Sequence, residues 1–274
     1  MRRIIRNPRT ILGLVLLAIP LLLAVVGPTI AQHGATTQNL GDALAGPSAE
    51  HWLGTDEFGR DIFARLASGS RVSITAAIIA VTVASLVGYT LGFLASFKRG
   101  WVDAVLSRVA DGLLAMPGLI LVFAVIGILG SGLTNAMVAL GFVVSPSTFR
   151  LARATSLDLS NRTFVEAARS SGCTGRSILR THIVPNAAGP LLVQVTFLAG
   201  VAIVAEASLS FLGLGVQLPQ ASWGSMTDTA FDNFQETSWP LFPPVFMITI
   251  SVLGLSMLGD AMSDALGRDR GGRG

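Results

Sequence analysis

Catalysis needs nucleophiles, acids, bases or metal ligands at workable spacing, and this 274-residue chain offers few. Its histidines, His33, His51 and His182, are dispersed along the chain, and no H-E-x-x-H pair is present to hold a catalytic metal. No serine stands in a G-x-S-x-G elbow. Lys98 is not preceded by the G-x-x-x-x-G of a phosphate-binding loop, so the chain has no visible means of handling ATP itself. The single cysteine, Cys173, rules out an internal disulfide or a cysteine-based metal cluster. What remains are acids in unusual places. Glu206 falls inside an apolar block, VAEASLSFLGLG, and Asp260 lies at the edge of another, MLGDAMSD. An ionisable group in a membrane-spanning stretch is costly and is by default a functional candidate. Two readings of Glu206 stand. It could line or gate a translocation path with Ser210, or it could pair with a serine or backbone amide at a helix break near residues 210–213. For Asp260 an interfacial, structural role is the expectation. No lysine or arginine within the apolar blocks completes a proton relay, which argues against a secondary transporter driven by an ion gradient.

The elements that would position these groups are membrane spans. Hydrophobic residues make up 51% of the chain and charged residues 13%, with a mean hydropathy of +0.65. A soluble domain carries roughly 25% charged residues. The excess is gathered into apolar blocks of about 20 residues, the length that crosses a hydrocarbon core. The expected fold is an all-α polytopic membrane protein with six transmembrane helices, near residues 11–30, 72–97, 112–129, 133–149, 187–212 and 241–262. Three regions follow: 1–70, an N-terminal span with an extracytoplasmic segment; 71–264, a five-helix core; and 265–274, a cytoplasmic tail. Residues 31–70 read as turn-rich with a helical piece near 61–66, residues 101–108 as an amphipathic connection, and residues 213–240 as an acidic loop. Ala76, Ala80, Ala84, Gly88 and Gly92 recur every fourth residue, a ridge of small side chains that lets another helix approach closely.

A pI near 10 does not point to nucleic acid here, because every basic cluster flanks an apolar block and none interleaves with aromatics. Anionic lipid headgroups and cytoplasmic orientation account for it. The segments expected inside hold Arg2, Arg3, Arg6, Arg9, Lys98, Arg99, Arg108, Arg150, Arg153, Arg162, Arg169, Arg176, Arg180, Arg268, Arg270 and Arg273. Those expected outside hold only Arg60, Arg65 and Arg71, which puts both termini in the cytoplasm.

The longest polar interval of the second half, TFVEAARSSGCTGRSILRTHIVP at 163–185, is therefore cytoplasmic. Thr163 and Glu166 are spaced as a capping box, Val165 to Arg169 continue a helix, and Gly172 is placed to end it in a left-handed cap. A second helical run at 177–183 is expected to stop at Pro185. A short capped helix between two spans is a docking surface by shape; the alternative is an ordinary basic loop.

Glu166-Ala167-Ala168, Gly172, Ile183 and Pro185, at the spacing they have here, resemble the E-A-A loop of permease subunits of bacterial ATP-binding-cassette importers. The resemblance extends to HWLGTDEFGRD at 51–61, to EASLSFLGLG at 206–215 with Ser222-Trp223-Gly224 after it, and to LGDAMSDAL at 258–266. These segments are similar to the "C" subunit of dipeptide, oligopeptide and nickel permeases. Departures fall at Leu218-Pro219-Gln220-Ala221, at Ser256 and at residues 266–269. The resemblance implies the type I importer permease fold, with a coupling helix contacting an ATPase through Glu166, Ala167, Ala168, Arg169 and Gly172. It implies a second permease as heterodimer partner, two ATP-binding subunits and an extracytoplasmic substrate-binding protein. The chain would be no enzyme and hold no cofactor, ATP and magnesium being bound by the ATPases. Its cargo would be di- or oligopeptides, with nickel or another small solute as the alternative.

Overall fold

A computed structural model describes residues 8–271; Arg2, Arg3, Arg6 and Arg273, counted above, lie outside them. The architecture is α-helical. The helices are α1 (Pro8–Ile30), α2 (Ile62–Lys98), α3 (Gly100–Leu114), α4 (Gly118–Leu129), α5 (Leu133–Ser160), α6 (Thr163–Ser170), α7 (Gly175–Phe211), α8 (Trp223–Asp232) and α9 (Phe242–Gly271). Four of them, α1, α2, α7 and the stretch Trp239–Leu266 that contains most of α9, are long and apolar enough to cross a membrane. The pair α3 and α4, bent by 99°, makes a fifth if taken as one span. The fourth expected span, near 133–149, falls in the first half of α5, a 28-residue helix that runs on to Ser160 and is not among these.

Three differences from the sequence expectation have local causes. The helical piece at 61–66 and the second span are one 37-residue helix, α2, about 55 Å long at 1.5 Å per residue. Asp61 caps it, accepting from the Ala64 N–H at 2.8 Å, and the Ser68-Gly69-Ser70 stretch does not break it. Gly69 instead lies against the backbone of Ala221 and Ser222, where its lack of a side chain is used. The third expected span, 112–129, is interrupted at Ala115-Met116-Pro117, because a residue before proline is driven out of helical geometry. Finally, the helix does not stop at Pro185. A π turn at Leu179–Ile183 leads straight into the α segment that resumes at Val184, where Pro185 occupies the second position and its missing N–H costs little.

α2 is the axis of the bundle, and its closest partner is α5. The five residues of the small-residue ridge are all buried, and a β-carbon at Gly92 would lie 2.7 Å from the Phe149 carbonyl oxygen and 2.8 Å from Ala152 Cβ. At Gly88 it would overlap Thr148 and Ser145. Thr148 Oγ1 donates to the Ala84 carbonyl at 2.7 Å, and Ser96 Oγ donates to Ser156 Oγ at 2.7 Å. α1 packs across α2 and α9 with Gly13 and Gly254 facing each other. Pro28 frees the Ala24 carbonyl in α1, and Arg71 of α2 donates to that oxygen and, at 3.2 Å, to Val25. Arg9 and Asp264 approach to 3.7 Å, so the start of α1 and the end of α9 share one end of the bundle.

If backbone contact between α2 and α5 holds the bundle, Gly92→Leu should lower its stability by about 3 kcal/mol, the upper part of the overpacking range. Gly127→Leu, where a β-carbon meets nothing within 4 Å, should be neutral or stabilising. Thermal unfolding of the purified variants in detergent checks both.

Candidate functional site

The end of the bundle where α1 begins also carries α6. The helix follows α5 after Asn161 and Arg162, and its N-cap is Arg162, whose carbonyl accepts from the Val165 and Glu166 N–H groups. Thr163 is already the first helical residue, so the expected capping box does not form. The C-terminal expectation holds. Gly172 has φ +81°, its N–H donates to Arg169, and the Cys173 N–H donates to Ala168 at 3.1 Å, the paired bonds of a Schellman cap.

α6 is amphipathic, and the candidate residues divide between its faces. Val165, 0% exposed, and Ala168 pack with Ala152 and Leu159 of α5 and Ile178, Ile183, Ala187 and Leu191 of α7. Glu166, Ala167, Arg169 and Gly172 are exposed. The two alanines thus differ: Ala168 seats the helix and Ala167 faces outward. Phe164, 38% exposed and stacked on His182 at 6.5 Å, adds an apolar group to the outward surface. Its only sequence signal was an aromatic in a polar interval. Behind α6, Arg153 of α5 holds Asp103 of α3 in a two-pronged pair at 2.5 and 2.7 Å, and Arg150 reaches Asp111 at 2.6 Å. Two arginines counted toward membrane orientation are therefore also struts between helices.

Glu206 lies in α7 with 0% of its surface exposed. Ser73 Oγ of α2 donates to Oε2 at 2.8 Å and Ser210 Oγ to Oε1 at 2.7 Å. The Trp223 N–H at the start of α8 donates to Ser73 Oγ at 3.2 Å, and the Val216 N–H donates to Ser210 Oγ at 3.3 Å. The indole Nε1 of Trp223 donates to Ser70 Oγ, also at 3.2 Å. The contact is therefore the serine pairing beside a helix break, for α7 ends at Phe211 and Gly213 follows with φ +73°. One carboxylate ties together α2, α7, the following loop and α8. Ser73 was missed because no spacing in the sequence relates it to a residue 133 positions away. Asp260 sits in the last turns of the apolar part of α9 and is exposed.

At the opposite end of α2 the segment HWLGTDEFGRD becomes a compact folded piece. Asp56 Oδ1 accepts from the N–H groups of Phe58 and Arg60, and its Oδ2 takes Arg60 Nε at 2.6 Å and Arg65 Nε at 3.2 Å. Arg60 and Arg65, counted above on the extracytoplasmic side, are each 1% exposed. Burial holds the Glu57 carboxyl above its ordinary range, even with Arg60 Nη2 at 3.1 Å. Gly59, at φ +66°, passes against the Asn39 backbone where a β-carbon would overlap. His33 and His51, read as dispersed, meet here with ring centroids 4.5 Å apart beside Asp61, while His182 lies near α6. The residues read as an acidic loop contain α8, and Trp239 Nε1 donates to the Leu53 carbonyl at 2.8 Å, so this region and the 31–61 segment form one surface.

Glu206→Ala should leave two buried hydroxyls without their acceptor and lower stability by about 2–3 kcal/mol, with Glu206→Gln milder. Thermal unfolding monitored by tryptophan fluorescence, to which buried Trp223 contributes, is the measurement.

Comparison with known proteins places this geometry. Residues 88–271 match the model of the binding-protein-dependent transport system inner membrane component, and residues 1–47 that of the N-terminal TM domain of oligopeptide transport permease C. The dipeptide transport system permease protein DppC of Alkalihalophilus pseudofirmus is 40% identical over 95% of this chain and 86% of its own length. The oligopeptide transport system permease protein OppC of Bacillus subtilis is 36% identical over 97% and 87%. The glutathione transport system permease protein GsiD of Pectobacterium atrosepticum is 41% identical over 81% and 73%. In fold, a chain of the inward-facing MetNI methionine ABC transporter superposes with TM-score 0.61 at 18% identity, covering 73% of this chain and 95% of that one. A bundle with a seated, outward-facing helix at one end and a folded motif segment at the other is thus the permease architecture, and the chain belongs to the binding-protein-dependent transport system inner membrane component family.

Proposed function

We propose that this chain forms half of the translocation path of an ATP-driven importer for short peptides, paired with a second, non-identical permease. The cargo class rests on relatives named for dipeptide, oligopeptide and glutathione transport. The observation that carries the mechanism is α6. It is locked to α5 and α7 by Val165 and Ala168 and turns Glu166, Ala167 and Arg169 outward, with Phe164 at the edge. A helix seated in this way moves with the spans it touches, so a push on its outer face reaches α5 and α7 without being absorbed in a loop. Its partner is an ATPase subunit that binds ATP and magnesium; two such subunits drive the cycle. Gly172 sets the exit from the helix, and Glu166 with Arg169 supplies charges of opposite sign to the cleft that receives it.

In this reading the fourth span is the first part of α5 and the third is the bent pair of α3 and α4. Both termini and α6 face the cytoplasm. The surface formed by residues 31–61 and the region around α8 faces an extracytoplasmic binding protein. Glu206 and Ser210 act on the path by holding α7 and α8 to α2. The five-helix core at 71–264 then rocks against its partner permease, with residues 1–70 as an added span and cover and 265–274 as a tail.

The test is reconstitution with the cognate ATPases, second permease and binding protein in proteoliposomes. Glu166→Lys and Gly172→Trp should insert normally, yet lose peptide uptake and fall to the unstimulated rate of ATP hydrolysis. Full stimulation by loaded binding protein in the Gly172→Trp complex would remove α6 from the coupling role, and uptake persisting without the ATPases would remove the importer mechanism.

A further inference from the structure

The cluster of His33, His51 and Asp61 lies at the head of α2, away from α6, and its geometry is that of a ligand set. One ring nitrogen from each histidine and one carboxylate oxygen lie within 4.8 Å of one another. The residues come from three separate places: the chain just after α1, the turn at 48–54, and the N-cap of α2. His51 and Asp61 are buried, and the His33 side chain is 32% exposed, which leaves one open approach to the group.

Two of the three ligands are held by second contacts. Asp61 spends Oδ1 on the Ala64 N–H and turns Oδ2 toward the histidines. The His51 backbone is fixed on both sides, its N–H donating to Ser48 Oγ at 2.9 Å and its carbonyl accepting from Ser48 and Gly54. Such outer contacts are what orient metal ligands. The polar satisfaction of the cluster is incomplete as it stands. His51 Nδ1 donates to Asp61 Oδ2 at 2.9 Å, but His33 Nδ1, 3.8 Å from the same oxygen, is too far to do so. That nitrogen is buried and has no hydrogen-bond partner. A buried imidazole nitrogen beside a shared carboxylate, with a second imidazole tilted against it at 4.5 Å, makes three groups that one cation could join.

We propose that His33, His51 and Asp61 bind a divalent transition-metal ion of the Zn²⁺ class, which pins the segment after α1 to the head of α2. Two imidazoles and a carboxylate suit such an ion, and three protein ligands leave a fourth position for water. Around a tetrahedral ion with bonds of about 2.0 Å, ligand atoms stand about 3.3 Å apart. The two nitrogen–oxygen distances of 2.9 and 3.8 Å bracket that value, and the three ligand atoms all lie within 4.8 Å of one another. The ion replaces the His51–Asp61 hydrogen bond, gives His33 Nδ1 its partner, and leaves the Asp61 cap intact. Because it binds only the folded arrangement of three distant pieces of chain, it stabilises that arrangement by mass action.

The experiment uses the full-length chain in nanodiscs with a purification tag free of histidine. Cys173→Ser removes the exposed thiol, and His182, at the other end of the bundle, serves as the internal control. Zn²⁺ alone is titrated by calorimetry, and Co²⁺ absorption reports coordination geometry. The expected result is one Zn²⁺ per chain and a Tm that rises with Zn²⁺. Removing one ligand in His33→Ala should weaken binding by about tenfold or more and abolish the Tm rise. His33 makes no hydrogen bond through Nδ1, so the variant should fold, and an unchanged Tm in the presence of a chelator verifies it. Absence of Zn²⁺ binding to the unsubstituted ligand set would overturn the proposal. So would equal affinity and stoichiometry in His33→Ala and His51→Ala, or an octahedral Co²⁺ spectrum that neither substitution alters.

Discussion

Two helix backbones in direct contact set the rest of this structure. Where α2 and α5 cross, Gly88 and Gly92 leave no side chain between them, and Thr148 Oγ1 reaches across to the Ala84 carbonyl. In lipid, apolar side chains gain little by leaving one hydrocarbon surface for another, so close packing and interhelical hydrogen bonds must hold helices together. The seam supplies both. It also decides what the ends of the bundle can do. α5 continues past the seam to the base of α6, while α2 continues the other way to the Asp61 cap. A displacement of α6 therefore meets a stiff pair of helices rather than a hinge.

The same medium explains where the polar side chains went. Glu206 takes two serine hydroxyls, and Arg71 answers a carbonyl that Pro28 leaves without its donor. In each case a polar group that would be costly in an apolar surrounding finds its partner on another helix. The bonds thus fix helix positions as well as satisfying atoms. Glu206 is the fullest example, because its two oxygens join α2 to the broken end of α7 and, through Ser73, to the first residue of α8. Glu206, which the sequence offered equally as a path residue and as a partner for a serine at a helix break, is enclosed by its hydrogen-bond partners within the chain.

Much of this was legible in the sequence, and the misses share a cause. The membrane class, the small-residue ridge, the Gly172 cap and the break after Ser210 all follow from local composition, spacing or backbone freedom. Three local rules were overridden. Thr163 and Glu166 had the spacing of a capping box, but the chain entering from α5 put Arg162 at the cap. Pro185 should have ended a helix, but a π turn passed the helix through it. The apolar run at 112–129 read as one span, but Pro117 bent it, and both arms of the bend pack on α5, which is not a local property. Local signals state what a segment prefers; packing determines which preference is kept.

The sequence by itself determined the all-α membrane class and the position of the polar interval that holds α6. These depend on transfer between water and hydrocarbon, which acts on each segment separately. Tertiary structure alone decided which face of α6 each alanine serves, that Ser73 meets Glu206, and that His33 and His51 converge on Asp61. Those facts depend on pairs of residues far apart in the chain, whose contact is set by the crossing of α2 with its neighbours, and no spacing along the sequence encodes that crossing.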